Sequence, residues 1–456
     1  MKNKLFLFGL AVFIYCQSNI IAQEKYKSIT GKWNGAIIVP NAKLEMLIKL
    51  EEKEGFLLAK MDVPMQGAKD IQASKATFVN DSLIIEFAVM RGFYRGLFMK
   101  DSSLFMGIWQ QNGASLPMKL IRGGDISIKR PQNPVKPYPY NEEEVVFENK
   151  KDNVKLAGTF TWPKDKKNCP VAVLISGSGP QNRDADVLGH KLFLVVSDYL
   201  TRNGIAVLRY DDRGTASSTG DFKTANSLDF SYDAEAAVEY LKTRKEIDIK
   251  KIGLIGHSEG GLIAPLLASR KKELAFIVMV AGPGIKVIDL MILQAAAQAG
   301  SMGASEANIE TGKALNKKIY TFAASDSPNV ADSIRAILSK SGMGTNEIEK
   351  NVKSMTSPWY RYFIAYDPNT TLPKVTCPIL ALNGKKDLQV TYPENLNGID
   401  AILKKGKNKN YITIAYDDLN HLMQHCKTGA FSEYSTIEET FSTEVLKFMA
   451  EWINLR

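Results

Sequence analysis

The chain has 456 residues, of which 45 % are hydrophobic and 23 % are charged. This balance excludes a wholly disordered chain, and the length exceeds what one ordinary domain needs, so two folded units are expected. The formal charge of +9 comes from scattered lysines, and the densest cluster, at 404–409, has no interleaved aromatic residues. We interpret that cluster as a solvated loop and expect no nucleic-acid partner.

The first 22 residues are typical of an export signal. Two lysines precede an apolar run at 5–15 that is too short to span a bilayer as a helix. Ala22 is a small residue at which cleavage could occur. Cys16 could instead be acylated, as in a lipoprotein, although the bulky residue before it disfavours that alternative. We expect export to the periplasm or the medium, with no integral membrane span in the mature chain.

Residues 24–125 are predicted to form a small all-β domain. Short runs that alternate apolar with polar residues recur at strand-and-turn spacing, and turn-forming residues separate them. No helical pattern interrupts these runs, so a small β-barrel or sandwich is expected. Trp33, Tyr94 and Trp109 could line a ligand cavity there, but we favour the alternative that they fill the core.

From residue 143 onward, β and α patterns alternate. Four prolines between 131 and 139 favour extended chain, and we interpret 126–142 as an interdomain linker. The strands that follow are near-continuous apolar runs, as expected where helices cover both faces of a sheet. The predicted fold class of 143–456 is α/β, with a doubly wound, mostly parallel sheet. Helical segments at about 285–370, which break the alternation, are predicted to form a cap insert.

The strongest chemical signal is the segment GHSEGG at 256–261, which follows an apolar strand pattern and precedes a helical one. A G-x-S-x-G at a strand–turn–helix transition is typical of a nucleophile elbow, in which a strained turn lifts the serine hydroxyl out of the sheet. We therefore predict Ser258 as a nucleophile. The alternative is an ordinary turn with an N-cap serine.

A serine nucleophile needs a base, and the chain has four histidines. His421 follows a predicted strand at 412–415, where the order serine, acid, histidine places the base. Asp387 follows a predicted strand at 379–382 and is predicted to orient His421; its alternative is a turn-forming aspartate. His421 and His425 could be read as a metal-binding pair, but no third ligand is evident, so neither a metal nor a cofactor is expected.

The oxyanion hole is predicted from two backbone N–H groups. One belongs to Glu259, directly after the nucleophile, and the other to Ser178 or Gly179, in the loop SGSGP at 176–180. This loop also contains the G-x-G of a dinucleotide fingerprint. Asn182 stands where the third glycine would be, so nucleotide binding is not expected. His257, beside the nucleophile, is expected to pack and hydrogen-bond in the interior.

Residues 143–456 resemble the α/β-hydrolase superfamily, specifically bacterial esterases of the serine-aminopeptidase-like or dienelactone-hydrolase-like branch. The resemblance rests on SGSGP at 176–180, RYDDRG at 209–214, GHSEGG at 256–261, NGKKD at 383–387 and LNH at 419–421. It implies Ser258 as nucleophile, Asp387 as acid and His421 as base.

Two further features follow from the resemblance. The Asp-Arg-Gly stretch of relatives is a structural loop near the site, so Asp212 and Arg213 are expected to pair with each other. Ala216 stands where many relatives carry a glycine, which leaves the conformation of that turn open. Residues 24–125 resemble the lipocalin-like module that precedes such esterases in some bacteria.

The leading functional prediction is a serine hydrolase that cleaves a small-molecule carboxylic ester through an acyl-enzyme, without a cofactor. Two alternatives stay open. One is a serine peptidase or amidase, because the same three residues cleave amides. The other is an extracellular ligand-binding protein whose hydrolase domain is degenerate. The sequence does not indicate the oligomeric state.

Overall fold

The computed structural model describes residues 26–39, 42–66, 68–124 and 129–456. The predicted export signal at 1–22, with Cys16 and Ala22, lies outside the described residues. The chain divides into two compact units, Met1–Lys129 and Arg130–Arg456.

The described residues of the first unit form one antiparallel sheet of nine strands, in the order β4-β3-β2-β1-β9-β8-β7-β6-β5. The first and last strands pair in its middle, where Trp33 lies opposite Arg122. The strands are β1 (Gly31–Val39), β2 (Ala42–Lys53), β3 (Phe56–Val63), β4 (Ala68–Gln72), β5 (Lys75–Val79), β6 (Ser82–Phe87), β7 (Gly92–Met99), β8 (Leu104–Gln111) and β9 (Ala114–Arg122).

This sheet curls around an aromatic core. Trp33, Tyr94 and Trp109 are at most 1 % exposed and belong to one apolar cluster. The rings of Trp33 and Phe105 meet edge to face at 4.7 Å, an arrangement that aromatic pairs favour. The aromatic residues that could have lined a ligand cavity therefore fill the core. The prediction of a small all-β domain is confirmed.

Residues 129–456, all of which are described, contain an eight-stranded sheet in the order β10-β11-β15-β12-β16-β17-β18-β19. In this order, all neighbouring strands from β15 onward pair in parallel, and the pairs β10–β11 and β11–β15 are antiparallel. The strands are β10 (Asn141–Asn149), β11 (Val154–Trp162), β12 (Cys169–Ile175), β15 (Ala206–Tyr210), β16 (Ile247–His257), β17 (Phe276–Val280), β18 (Ile379–Gly384) and β19 (Tyr411–Tyr416), and the short pair β13 (Asp186–Val187) and β14 (His190–Lys191) forms a separate ribbon.

Helices cover both faces of the sheet, and the strand side chains alternate between two cores. In β12, Val171 and Val173 join one core and Ala172 and Leu174 join the other, because successive side chains of a strand point to opposite faces. The predicted α/β fold class is confirmed. The helices are α1 (Leu192–Arg202), α2 (Ser227–Leu241), α3 (Gly260–Ala268), α4 (Val287–Ser301), α5 (Glu306–Ala323), α6 (Val330–Leu338), α7 (Thr345–Met355), α8 (Pro358–Ala365), α9 (Tyr392–Lys405) and α10 (Thr443–Asn454).

The helices α4 to α8 lie between β17 and β18 and form the cap insert. Parallel strands of such a sheet present their carboxyl ends to the ligand site, and the insert begins just after the carboxyl end of β17. The last cap helix, α8, begins at Pro358, where the Ser357 side chain accepts the N–H of Tyr360. A proline at the first position and a serine N-cap are both favourable for a helix start.

The described residues of the predicted linker bond to the second unit. Arg130 donates to the carbonyls of Ile437 and Leu188 at 2.8 and 3.0 Å. Gln132 donates to the carbonyl of Phe441 at 2.8 Å and accepts the N–H of the same residue. These bonds agree with the placement of Arg130 at the start of the second unit.

Three cysteines, Cys169, Cys377 and Cys426, are present in the described ranges, and they form no disulfide. Within those same ranges, no helix has the length and apolar character needed to cross a membrane.

Candidate active site

Ser258 lies in the tight turn between β16 and α3. Its backbone has a φ of 55°, a left-handed conformation that is uncommon for a residue with a side chain and that marks local strain. Two backbone hydrogen bonds hold the turn. The Ser258 N–H donates to the Val280 carbonyl at 2.9 Å, and the Gly261 N–H donates to the Ser258 carbonyl at 2.8 Å. The turn lies where the sequence predicts a nucleophile elbow.

The glycines around Ser258 are required by close approach of backbone segments. A Cβ on Gly256 would lie 1.9 Å from the carbonyl oxygen of Gly260, and a Cβ on Gly260 would lie 2.1 Å from that of Ile175. Real Cβ atoms do not approach backbone atoms so closely, so strand and helix can cross here only with glycine at both positions. The spacing G-x-S-x-G follows directly from this crossing.

The predicted acid and base are in direct contact. His421 Nδ1 donates to Asp387 Oδ2 at 2.8 Å, and the two side chains are only 4 % and 0 % exposed. The second oxygen of Asp387 accepts the backbone N–H groups of Gln389 and Val390 at 2.7 and 2.9 Å. Because Nδ1 of His421 carries the proton in this pair, Nε2 is the nitrogen that can accept a proton.

His257 contacts His421 through both its ring and a hydrogen bond. Its Nε2 donates to the backbone carbonyl of His421 at 2.9 Å, and the two rings lie 4.8 Å apart. Burial lowers the pKa of His257 to about 3, with a smaller contribution from His421. The His257 ring is therefore neutral and bonds the backbone of His421 in the interior, in agreement with its predicted packing and hydrogen bonding.

The loop predicted to form part of the oxyanion hole lies against Ser258. A Cβ on Gly177 would be 3.1 Å from the Cβ of Ser258. Gly177, Ser178 and Glu259 line the same cavity as Ser258, which places the predicted N–H donors of Ser178 and Glu259 around it. Gly179, the predicted alternative donor, has a φ of 88° and forms the turn of the loop.

Asp212 holds this loop in place, and the expectation that it pairs with Arg213 is wrong. Its two carboxylate oxygens accept the hydroxyl of Ser176 at 2.6 Å and the N–H of Gln181 at 2.8 Å. Arg213 points away and forms a 2.7 Å ion pair with Asp233 of α2. The two neighbours therefore have different partners, which their order in the sequence does not reveal.

Ala216 has a φ of 46°. Ala216 therefore adopts a left-handed conformation that glycine reaches more easily than a residue with a side chain.

Glu259 contributes more than a backbone N–H. Its buried carboxylate accepts the hydroxyl of Ser227 at 2.7 Å and the indole N–H of Trp359 at 3.0 Å from each oxygen. Burial raises the pKa of this carboxyl, against the hydrogen bonds from Ser227, Trp359 and Ser178. One side chain thus connects the elbow to α2 and to the cap helix α8. The contact between Glu259 and Trp359 was not predicted from the sequence.

The site opens into a cavity of ≈ 360 Å³. Its walls come from the elbow, the oxyanion loop, the segments after β18 and β19, and the cap helices α4 and α8. Among them are Ser258, Glu259, Leu290, Trp359, Gln389 and His421. The cap insert therefore covers Ser258. His425 lies elsewhere, paired with Glu439 at 2.8 Å, and in the described part of the chain no three His, Cys, Asp or Glu side chains form a group that could hold a metal ion.

A parallel sheet with a strained serine elbow and a histidine–aspartate pair beyond its last strands defines an α/β hydrolase. Residues 191–425, about half of the chain, match the family model described as serine aminopeptidase, S33, and the chain belongs to this family.

The chain is 28 % identical over 282 residues to Esterase EstD of Thermotoga maritima, a match that covers 61 % of this chain and 60 % of that protein. The chain thus spans about three fifths of the length of this curated relative. Among solved structures, the Pyrococcus furiosus esterase Pf2001 is 18 % identical with a TM-score of 0.44, covering 69 % of this chain and 93 % of that one. Est1E of Butyrivibrio proteoclasticus, solved with ferulic acid bound, is 18 % identical with a TM-score of 0.40, covering 68 % and 96 %.

Proposed function

We propose that the protein is a serine hydrolase that cleaves carboxylic esters through Ser258, His421 and Asp387. The observation that carries the proposal is that Ser258, in its strained turn, and His421, which is bonded to the buried Asp387, line one cavity. This arrangement supports Ser258 as nucleophile, His421 as base and Asp387 as the acid that orients the base.

The proposed reaction has two halves. Ser258 Oγ attacks the acyl carbon while His421 Nε2 accepts the hydroxyl proton, and the N–H groups of Glu259 and Ser178 stabilise the oxyanion. His421 then gives that proton to the departing alkoxide oxygen, which leaves an ester on Ser258. In the second half, water attacks the acyl carbon while His421 takes a proton from it. The bond between the acyl carbon and Ser258 Oγ then breaks, Oγ takes the proton back from His421, and the carboxylic acid is released. Asp387 stabilises the imidazolium at each transfer.

Cleavage of aminoacyl amides is the second candidate. The family model is described as serine aminopeptidase, and Glu259 is an acidic side chain on the cavity wall that could face a substrate ammonium group. Both oxygens of Glu259, however, already accept hydrogen bonds from Ser227 and Trp359. This occupancy and the esterase name of the Thermotoga relative favour the ester. A degenerate binding domain is disfavoured because no member of the predicted triad is missing.

A substrate panel tests the proposal. We expect the purified protein to hydrolyse p-nitrophenyl butyrate and to leave alanyl and prolyl p-nitroanilides essentially uncleaved. Turnover of the anilides above that of the esters would move the assignment to the peptidase. Hydrolysis of neither class would contradict both.

We also propose export of the chain, on the strength of the signal-like pattern at 1–22. N-terminal sequencing of the protein from its own cells should start near Gln23. A soluble cytoplasmic form that starts at Met1 would contradict export.

A further inference from the structure

A second cavity, of ≈ 430 Å³, adjoins the first. Gln389, Phe431 and Tyr434 line both cavities, so the two meet at a shared wall. Within that wall, the Gln389 side chain donates to the hydroxyl of Tyr434 at 3.1 Å. A group that leaves the active-site cavity past these side chains enters the second one.

One face of the cap helix α4 runs from the first cavity to the second. Leu290 and Gln294 line the active-site cavity, and Gln298 and Ser301 line the second. Spacings of three and four residues keep side chains on one face of a helix. Ser301 lies seven positions after Gln294, which corresponds to about 10 Å along the helix axis. The two cavities therefore lie next to each other along one face of α4.

The shared wall lies on the histidine side of the reaction centre. Gln389 follows Asp387 closely and donates its backbone N–H to that carboxylate at 2.7 Å. In acyl transfer the histidine must reach the oxygen of the leaving alcohol, whereas the oxyanion donors face the carbonyl oxygen. The alcohol part of a bound ester therefore points along His421 towards this wall, and its far end points into the second cavity.

The chemistry of the second cavity defines what it can accept. Phe431 and Met302 are 62 % and 80 % exposed, and both line this cavity, so they offer apolar surface to a molecule bound there. Gln298, Ser301 and Gln389 add polar groups, and no charged side chain belongs to the described residues that line this cavity. The loop that carries Phe431 is held in shape, because Glu433 accepts the N–H groups of Thr428 and Gly429.

We propose that this second cavity is the subsite for the alcohol part of the substrate, and that the natural ester carries an elongated, uncharged and largely apolar alcohol. The inference rests on the proposed esterase function and names its substrate class. The apolar body of the alcohol packs on Phe431 and Met302, and its polar groups meet the amides of Gln298 and Gln389.

Two ester series test the subsite. In one, the acid is always butyrate and the alcohol is ethyl or octyl; in the other, the alcohol is always p-nitrophenol and the acid is acetate or octanoate. Ser301→Trp fills the second cavity from an exposed position at the end of α4. We expect it to lower the octyl-to-ethyl ratio of kcat/KM by about tenfold or more, the scale set by lost apolar contacts in a pocket. The octanoate-to-acetate ratio should change much less.

A matched control is available on another cap helix. Ser339 caps the end of α6, and its hydroxyl bonds a carbonyl of the preceding turn, as that of Ser301 does. Ser339→Trp should leave both ratios at their wild-type values. Should Ser301→Trp fail to fold, Phe431→Ala replaces it, with the same expected loss for the octyl ester.

The outcomes separate the subsite from the esterase function. A wild-type protein that hydrolyses p-nitrophenyl acetate, combined with variants that leave the octyl-to-ethyl ratio unchanged, overturns the subsite alone. A selective loss in the acid series instead would assign the cavity to the acyl group and also overturn the proposal. A wild-type protein that hydrolyses no ester contradicts the proposed function and the subsite with it.

Discussion

At the residue scale, Asp212 shows burial and hydrogen bonding acting in opposite directions on one carboxyl group. Burial raises the pKa of Asp212 to about 7, and the nearby Glu259 and Asp233 carboxyls add to this rise, while the hydrogen bonds from Ser176 and Gln181 lower it. The charged form accepts both bonds and fixes the oxyanion loop, yet it is costly to bury. At neutral pH, Asp212 thus fixes the conformation of the oxyanion loop at a cost to the stability of the folded protein.

This balance gives a pH-dependent prediction for Asp212→Asn. Between the ordinary pKa of 3.8 and the folded value of about 7, the folded protein holds a proton that the unfolded chain has lost. The stability contributed by Asp212 is therefore greatest below pH 4 and falls as the pH rises to 7. Asparagine cannot titrate and replaces one acceptor by a donor, so the variant should be less stable than wild type at pH 4.5. The difference in stability between wild type and variant should be smaller at pH 7.5.

Urea unfolding of both proteins at the two pH values measures this change. Taking the difference in unfolding free energy between variant and wild type removes the contributions of the other titrating groups. A difference that is the same at both pH values would contradict the assigned role of burial at Asp212.

At the element scale, a contact between Trp359 of α8 and Glu259, the residue after Ser258, connects the cap insert to the turn. The Trp359 ring stacks on Phe363 at 5.4 Å, while its N–H points to Glu259. Trp359→Phe keeps a ring for the stacking and removes the donor. We expect a loss of about 1–3 kcal/mol in the free energy of unfolding, because a buried carboxylate loses one of its partners.

A double-mutant cycle with Glu259→Gln isolates this contact. The coupling energy should be about 0.5–3 kcal/mol, as for residues in direct contact. Trp162→Phe is a matched control, because Trp162 is also partly buried and stacked on a phenylalanine, Phe160, at 5.1 Å. It should show no coupling to Glu259→Gln. Additive effects of Trp359→Phe and Glu259→Gln would show that the cap is not held through this bond.

The elements that were predictable from sequence are those whose signals are local. The elbow is encoded within six residues, and Asp387 and His421 each follow a recognisable apolar strand, so the sheet order brings them together. The Glu259–Trp359 contact joins residues 100 positions apart, and neither the elbow motif nor the helical pattern of α8 indicates it. Asp212 and Arg213 were paired wrongly because side-chain direction in a loop depends on local turns that composition does not specify.

The second cavity was also beyond prediction from the sequence. Its walls come from the end of α4, the segment after Asp387 and the loop around Phe431. No motif marks any of them, since polar and apolar residues in loops are equally compatible with solvent exposure.

At the scale of the whole molecule, each unit has its own apolar core, and the second unit begins before its first strand. The bonds of Arg130 and Gln132 to Ile437 and Phe441 close the amino-terminal segment onto the region before α10. We expect the fragment 130–456 to fold alone, and the fragment 138–456, which keeps all of β10, to melt at a lower temperature. Each buried hydrogen bond lost contributes about 0.5–1.5 kcal/mol.

Thermal unfolding followed by circular dichroism compares the two fragments. Equal melting temperatures would mean that residues 130–137 serve only as a connection. Failure of the longer fragment to fold would show that the second unit depends on residues 1–129.

The most direct test of the proposed function is the rate of p-nitrophenyl butyrate hydrolysis by Ser258→Ala, measured beside Ser339→Ala as an exposed serine control. The elbow tolerates a smaller side chain, so both variants should fold and melt like wild type. We expect Ser258→Ala to lose about 10⁴-fold or more in kcat, the scale seen when a triad nucleophile is removed, and Ser339→Ala to retain wild-type turnover. A folded Ser258→Ala protein that hydrolyses the ester at the wild-type rate would contradict the proposed role of Ser258 as the nucleophile.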